Sequence, residues 1–226
     1  MSTVLGIDAC RGGWVGIALR DGRYAGAHVA ERLVDLVAST PDAAAIGVDM
    51  PLGLMDAGTR GTDAAAKRLL GRRRSTVFEI APRACWDAPT HAEATARSVA
   101  LMGKGMSIQS WGLRAKLLEA NAVYDADVLP LWEVHPELSF VGIGLRAEDG
   151  SKKTWRGQRA RLRVLATAGI EVPEDLGPDV ARVPADDVLD AAAVAWSADR
   201  IARGVAHCVP DPPQRNERGQ RIAIWR

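Results

Sequence analysis

The order of apolar runs predicts an α/β fold: a mixed sheet in which an antiparallel three-strand meander is joined by parallel strands and flanked by helices, with a mostly helical insertion. Three observations carry that prediction. The first thirty residues hold three short apolar runs separated by turn chemistry. A helical spacing and then a fourth apolar run, Ala43 to Val48, come next. From about 52 to 127 the pattern is helical with Gly and Pro breaks and few strand signals.

The elements follow in order. Val4 to Asp8 is the first strand, and Arg11-Gly12-Gly13 supplies a turn. Trp14 to Leu19 is the second, closed by Asp21-Gly22, a strong hairpin signal. Tyr24 to Ala30 is the third. Leu33, Val34, Leu36 and Val37 have helical spacing, so Ala43 to Val48 follows a helical crossover and must lie parallel to its neighbour. Thr62 to Leu70 and Ile108 to Tyr124 read as the clearest helices of the insertion. Leu129 to His135 is a fifth strand broken by Pro136, and Trp155 to Ala168 a basic amphipathic helix. Ala185 to Ala202 is a long apolar helix with Gly204 near its end as a stop signal. The tail carries Asp211-Pro212-Pro213 and ends in a late strand, Arg221 to Trp225. A single domain over residues 1–226, with 52–127 as a helical insertion, is the expected organisation.

Composition narrows the function classes. The chain is 47% hydrophobic, enough for a sizeable core, and no window approaches the ~20 apolar residues a membrane helix needs. The start MSTVLGIDAC lacks a basic region ahead of an apolar stretch, so a cytoplasmic location is expected. Cys10, Cys85 and Cys208 are scattered, as are the four histidines, which argues against zinc and leaves hard cations held by oxygen. A net charge of +1 gives no global pull toward nucleic acid.

The acids are placed more tellingly. Asp8 and Asp49 end similar words, Gly-Ile-Asp and Gly-Val-Asp, each the first charge after an apolar run. On parallel neighbours about 4.8 Å apart, both would sit at the carboxyl edge of the sheet, where open α/β sheets bind ligands. An Asp at a strand end is also an ordinary turn former, and for either one alone that reading is the commoner. Glu133 stands near the end of the fifth strand, with His135 two residues on and Glu137 just past the break. In the last long helix Asp186 has the place of a first-turn acid. Asp187 and Asp190 share a face at i, i+3, and six uncharged residues follow Asp190. A carboxylate entering a packed interface needs a partner. Several carboxylates in one pocket repel by roughly 4 kcal/mol per pair at 4 Å and an effective dielectric of 20, so protonation or a cation must relieve them. Mg²⁺ or Mn²⁺ suits such oxygen ligands.

These words carry a likeness. Gly6 through Trp14, Val48 through Leu54, Val77-Phe78 through Pro82-Arg83, Glu133 through Phe140 and Asp186 through Ala191 together resemble the family filed as domain of unknown function 429, predicted RNase H-fold nucleases. The resemblance runs nearly end to end and implies an RNase H-like fold and metal-dependent hydrolysis of nucleic acid. The mechanistic analogy is the RuvC-type junction resolvase, with acids on the first strand, the fourth strand and the last helix. The matching positions here are Asp8, Asp49, Asp187 and Asp190. The fourth-strand acid of that resolvase is usually Glu, so Asp49 offers a shorter arm. Glu133, His135, Glu137, Arg11 and Arg83 lie inside or beside the family words as additional site candidates.

Lys152, Lys153, Arg156, Arg159, Arg161 and Arg163 fall in a stretch without an acid and are candidates for phosphate contact, Lys152, Lys153, Arg156 and Arg159 foremost. Arg68 and Arg72 to Arg74 form a second cluster. A solvated helix face explains either cluster equally well. Trp86, Trp111 and Trp155 stand near breaks, where base stacking competes with simple burial. Two other functions compete with nuclease: a non-catalytic binding module on the same fold, and an ATP-using enzyme of the actin, Hsp70 and sugar-kinase kind. For the second, the chain is short, and Asp49 leads into Pro51 rather than a glycine-rich hairpin.

Overall fold

The computed structural model describes residues 2–226. In chain order the elements are β1 (Thr3–Cys10), β2 (Gly13–Arg20), β3 (Arg23–Ala30), α1 (Leu33–Ala38), β4 (Ala43–Val48), α2 (Gly61–Leu70), α3 (Arg83–Trp86), α4 (His91–Met102), α5 (Ile108–Gly112), α6 (Arg114–Asp125), β5 (Leu131–Glu133), α7 (Pro136–Ile143), α8 (Trp155–Thr167), α9 (Ala185–Ala202), β6 (Cys208–Arg215) and β7 (Arg221–Trp225). They divide between two compact units, one of residues 2–50, 129–207 and 225–226, the other of 51–128 and 208–224.

The first unit is a five-stranded sheet in the order β3-β2-β1-β4-β5. The meander β1-β2-β3 is antiparallel, and β4 and β5 join it in parallel. This is the RNase H-like mixed α/β arrangement that the sequence predicts. Because side chains alternate across a strand, β1 serves two layers. Leu5 and Ile7 share a face with Gly16, beside which lies Leu36 of α1. Val4 and Gly6 face the other way with Val15, Ile17 and Leu19, and that face is covered by α9.

Glycine makes that packing close. A Cβ on Gly6 would stand 2.0 Å from the backbone nitrogen of Ala195, and one on Gly47 would stand 2.8 Å from Val194 Cγ1. Gly6 and Gly47 are register partners on β1 and β4. They form a smooth trough in which α9 lies, with Ala191 to Ala195 fully buried.

In the second unit α2 to α6 accompany the ribbon β6-β7. Buried Asn121 ties the entry segment, accepting from the Gly53 amide at 2.9 Å and donating to the Pro51 carbonyl at 2.8 Å. Thr62 Oγ1 donates to the Val209 carbonyl and accepts from the Ile224 amide.

Several boundaries differ from expectation. The helix expected over 108–124 is two, because the chain turns at Gly112-Leu113. Glycine is a poor helix interior residue, and here it ends α5. β5 is only three residues long, so His135 is not on the strand beside Glu133 but precedes α7. β6 falls where only a tail was expected. It carries Pro210, Pro212 and Pro213, which a two-stranded ribbon tolerates because each strand has an unpaired side.

Candidate functional site

The recurrent Gly-x-Asp word has a geometric meaning. Two residues along a strand return to the same face and advance about 6.6 Å. Asp8 therefore lies on the α9 face one step beyond Gly6, and Asp49, just past the end of β4, one step beyond Gly47. One turn of α9, about 6 Å along the axis for four residues, carries Ala191 back to Asp187 and Val194 back to Asp190. The strands thus bring their acids forward by the same distance that the helix brings its own back. The two glycines set the close approach, and the four carboxylates gather where it ends.

Backbone pairing fixes the strand pair. Ile7 and Val48 are in register, and the Asp49 amide donates to the Ile7 carbonyl at 2.8 Å. Asp8 is buried, its Oδ1 accepting from the Ala9 amide at 2.7 Å. Asp49 and Asp187 keep part of their surface open, whereas Asp190 is 2% exposed.

The electrostatics match a crowded anionic pocket. Burial, and then the charges of Asp49 and Asp190, hold the Asp8 carboxyl well above its ordinary range. Asp49 and Asp190 are each pushed up to about 7. Burial is the largest cause for both; Glu137 and Asp187 add repulsion at Asp49, Asp49 and Glu137 add it at Asp190, and Lys152 opposes the rise at each. Asp187 is raised by burial and by neighbouring Asp186.

Lys152 enters from the segment ahead of α8. Its ammonium donates to Asp190 Oδ2 and lies 3.9 Å from Asp186 Oδ2. Burial alone would lower the Lys152 ammonium, but the charges of Asp190, Asp8 and Asp49 and the hydrogen bond to Asp190 raise it above the usual lysine range. Lys153 donates to Asp186 Oδ2. Asp186 is therefore buried and ion-paired rather than a plain first-turn acid.

Two elements steady this segment. Thr154 caps α8, accepting from the Gly157 amide at 3.2 Å and donating to the Ser151 carbonyl at 2.8 Å. Gly157 lets residue 151 lie against the first turn, since a Cβ there would meet the Ser151 oxygen at 1.9 Å. Behind it, Arg161 is 1% exposed and donates to Glu137 Oε1 and to the carbonyls of Gly150 and Gly157. Arg161 is thus buried and ion-paired, unlike the exposed Lys153, Arg156 and Arg159 of the same basic stretch.

The other candidates divide, with Glu133 and Glu137 beside the acids and the arginines elsewhere. Glu133 is buried at the end of β5, in register with Val48, and Glu137 is in the first turn of α7. Arg11 is exposed in the β1-β2 turn. Arg83 belongs to the second unit, where it donates to Asp125 at 2.9 Å. Arg156 and Arg159 are exposed on α8, and Arg159 stacks over Trp155, which is 76% exposed. Trp86 is fully buried, its Nε1 donating to the Ala81 carbonyl, so stacking on bases is closed to it.

The donor set has the chemistry of a hard-cation site in two respects. The clustered acids offer only carboxylate oxygens, and Asp190 Oδ1 is buried without a hydrogen-bond partner. Among the described residues, however, no three Asp, Glu, His or Cys side chains already converge as metal ligands. The Lys152 ammonium reaches the cluster at Asp190, and Lys153 reaches its edge at Asp186.

The profile of the family described as "Protein of unknown function (DUF429)" matches residues 6–215. The chain belongs to the DUF429 family. That match spans both strand-end aspartates, the acids of α9 and the lysine segment. No curated protein matches the chain, and no solved structure matches it. Among the described residues no helix is long and apolar enough to cross a membrane.

Proposed function

We propose that this DUF429 chain is a divalent-metal-dependent hydrolase of phosphodiester bonds in nucleic acid. The observation that carries the reading is the gathering of Asp8, Asp49, Asp187 and Asp190 at one sheet edge, where burial, and then neighbouring carboxylates, raise Asp8, Asp49 and Asp190. Such an array is costly unless a positive charge belongs there. Asp8, Asp49, Asp187 and Asp190 would hold Mg²⁺ or Mn²⁺ through hard oxygen donors. The bound ion supplies activation of a water and stabilisation of charge on the phosphate oxygens. Exposed Arg156 and Arg159 on α8, with Lys153 and Arg11, are the residues to draw in the phosphate backbone. Glu137, locked by Arg161, adds a fixed negative charge felt at Asp49 and Asp190.

One observation favours a second reading, a binding module without catalysis: Lys152 already neutralises part of the cluster. Cleavage separates the two. Labelled single-stranded, duplex and branched DNA and RNA are incubated with the full chain and Mn²⁺ or Mg²⁺. Cleavage of at least one substrate is expected, abolished by chelator, and reduced in Asp8→Asn and Asp190→Asn by more than the ~10–100-fold typical of losing an outer partner of a metal site. Undiminished cleavage by both variants would remove these acids from the mechanism, and no cleavage of any substrate favours the binding module.

A further inference from the structure

We propose that Lys152 is the resident counter-cation of the acid cluster and that a divalent ion loads the site by displacing it. The inference rests on the metal reading above and adds a gate to it.

Lys152 occupies the cluster by contact and by charge. It is hydrogen-bonded to Asp190 and within 3.9 Å of Asp186, and its charge is felt at Asp8, Asp49 and Asp187 as well. Nevertheless it is not locked in. Its side chain is 34% exposed and comes from the turn ahead of α8, not from a packed helix face. This contrasts with Arg161, whose side chain is 2% exposed against Glu137. A cation that reaches in from an open side can swing out without opening the core.

The neutralisation is also incomplete. The Lys152 ammonium faces the carboxylates of Asp8, Asp49 and Asp190, Lys153 adds its charge only toward Asp187 and Asp186, and Asp190 Oδ1 stays buried without a hydrogen-bond partner. A divalent ion brings two charges where Lys152 brings one, and it accepts several oxygens at once. The exchange relieves repulsion that the lysine leaves in place. Of the four acids it is Asp190, the most deeply buried, that takes the Lys152 hydrogen bond, so leaving the cluster requires this one side-chain contact to break.

The test is a calorimetric titration of Mn²⁺ into the full chain, wild type beside Lys152→Met and Lys152→Arg. Lys152→Met is expected to bind Mn²⁺ at least ~10-fold more tightly than wild type, because the competing charge is gone, and Lys152→Arg no more tightly than wild type. Measurable binding that is equal or weaker in Lys152→Met overturns the gate and leaves the metal reading standing. No binding in any of the three overturns both. A second measurement holds should Lys152→Met not fold. The wild type is treated with an amine-acylating reagent with and without Mg²⁺ and analysed by peptide mass spectrometry. Acylation of Lys152 is expected to rise several-fold with Mg²⁺ while Lys104, in the second unit, stays constant; an unchanged Lys152 signal counts against displacement.

Discussion

At the scale of the residue, the raised carboxyls fix a pH dependence. Asp49 and Asp190 shift from an ordinary 3.8 to about 7 in the fold. A raised acid holds its proton in the folded chain when the unfolded chain has released it. Its contribution to stability is therefore fully present below about pH 4 and is lost as pH rises toward 7. Asp49→Asn fixes the neutral form. In chelator-treated protein the variant should gain on wild type as pH rises, by on the order of 1–2 kcal/mol between pH 5 and pH 8 in urea unfolding. An advantage that shrinks over that interval would contradict the electrostatic account. Arg161 answers a different question. It is paired with Glu137 in the interior, so Arg161→Met should cost about 3–5 kcal/mol by leaving a buried carboxylate alone. Combining it with Glu137→Leu should restore much of the loss in the same assay.

At the scale of the element, the trough of Gly6 and Gly47 decides where α9 can lie. Gly6→Ala places a methyl 2.0 Å from α9 backbone, which has no side chain that could rotate away. We expect insoluble protein, or a loss of more than about 3 kcal/mol, well above the ~1–3 kcal/mol common for overpacking. Gly112→Ala is the control: nothing lies within 4 Å of a Cβ there, and stability should hold or rise slightly by thermal melting. The elements differ in how far the sequence announced them. The meander, β4 and α9 were legible because each is a long periodic run with turn or glycine punctuation at its ends. α4 carries signals of the same kind, Thr90 capping the Glu93 amide and left-handed Gly103 at its end, although its apolar face is weak. β6 had no such signal, since three prolines within eight residues argue against a strand everywhere except at an edge.

At the scale of the whole molecule, a net charge of +1 confines any attraction for nucleic acid to local patches. With Arg156, Arg159, Lys153 and Arg11 as the exposed cations offered to the backbone, about four phosphates should be neutralised, so the logarithm of the binding constant should fall with that of salt at a slope of roughly −3 to −4. A slope near −10 would call for a much larger basic surface. The sequence by itself determined the strands of the mixed sheet, the helix that covers it and four acids on three elements, because periodicity and strand-end position are written within a few residues of each side chain. It also required a partner for Asp190, since a buried carboxylate cannot stand alone. Only the tertiary structure decided that the partner is Lys152, 38 residues away, that Glu137 closes on Arg161, and that Asp186 takes Lys153. Charge pairing across such separations depends on which surfaces fold together, and no local pattern in the chain records that.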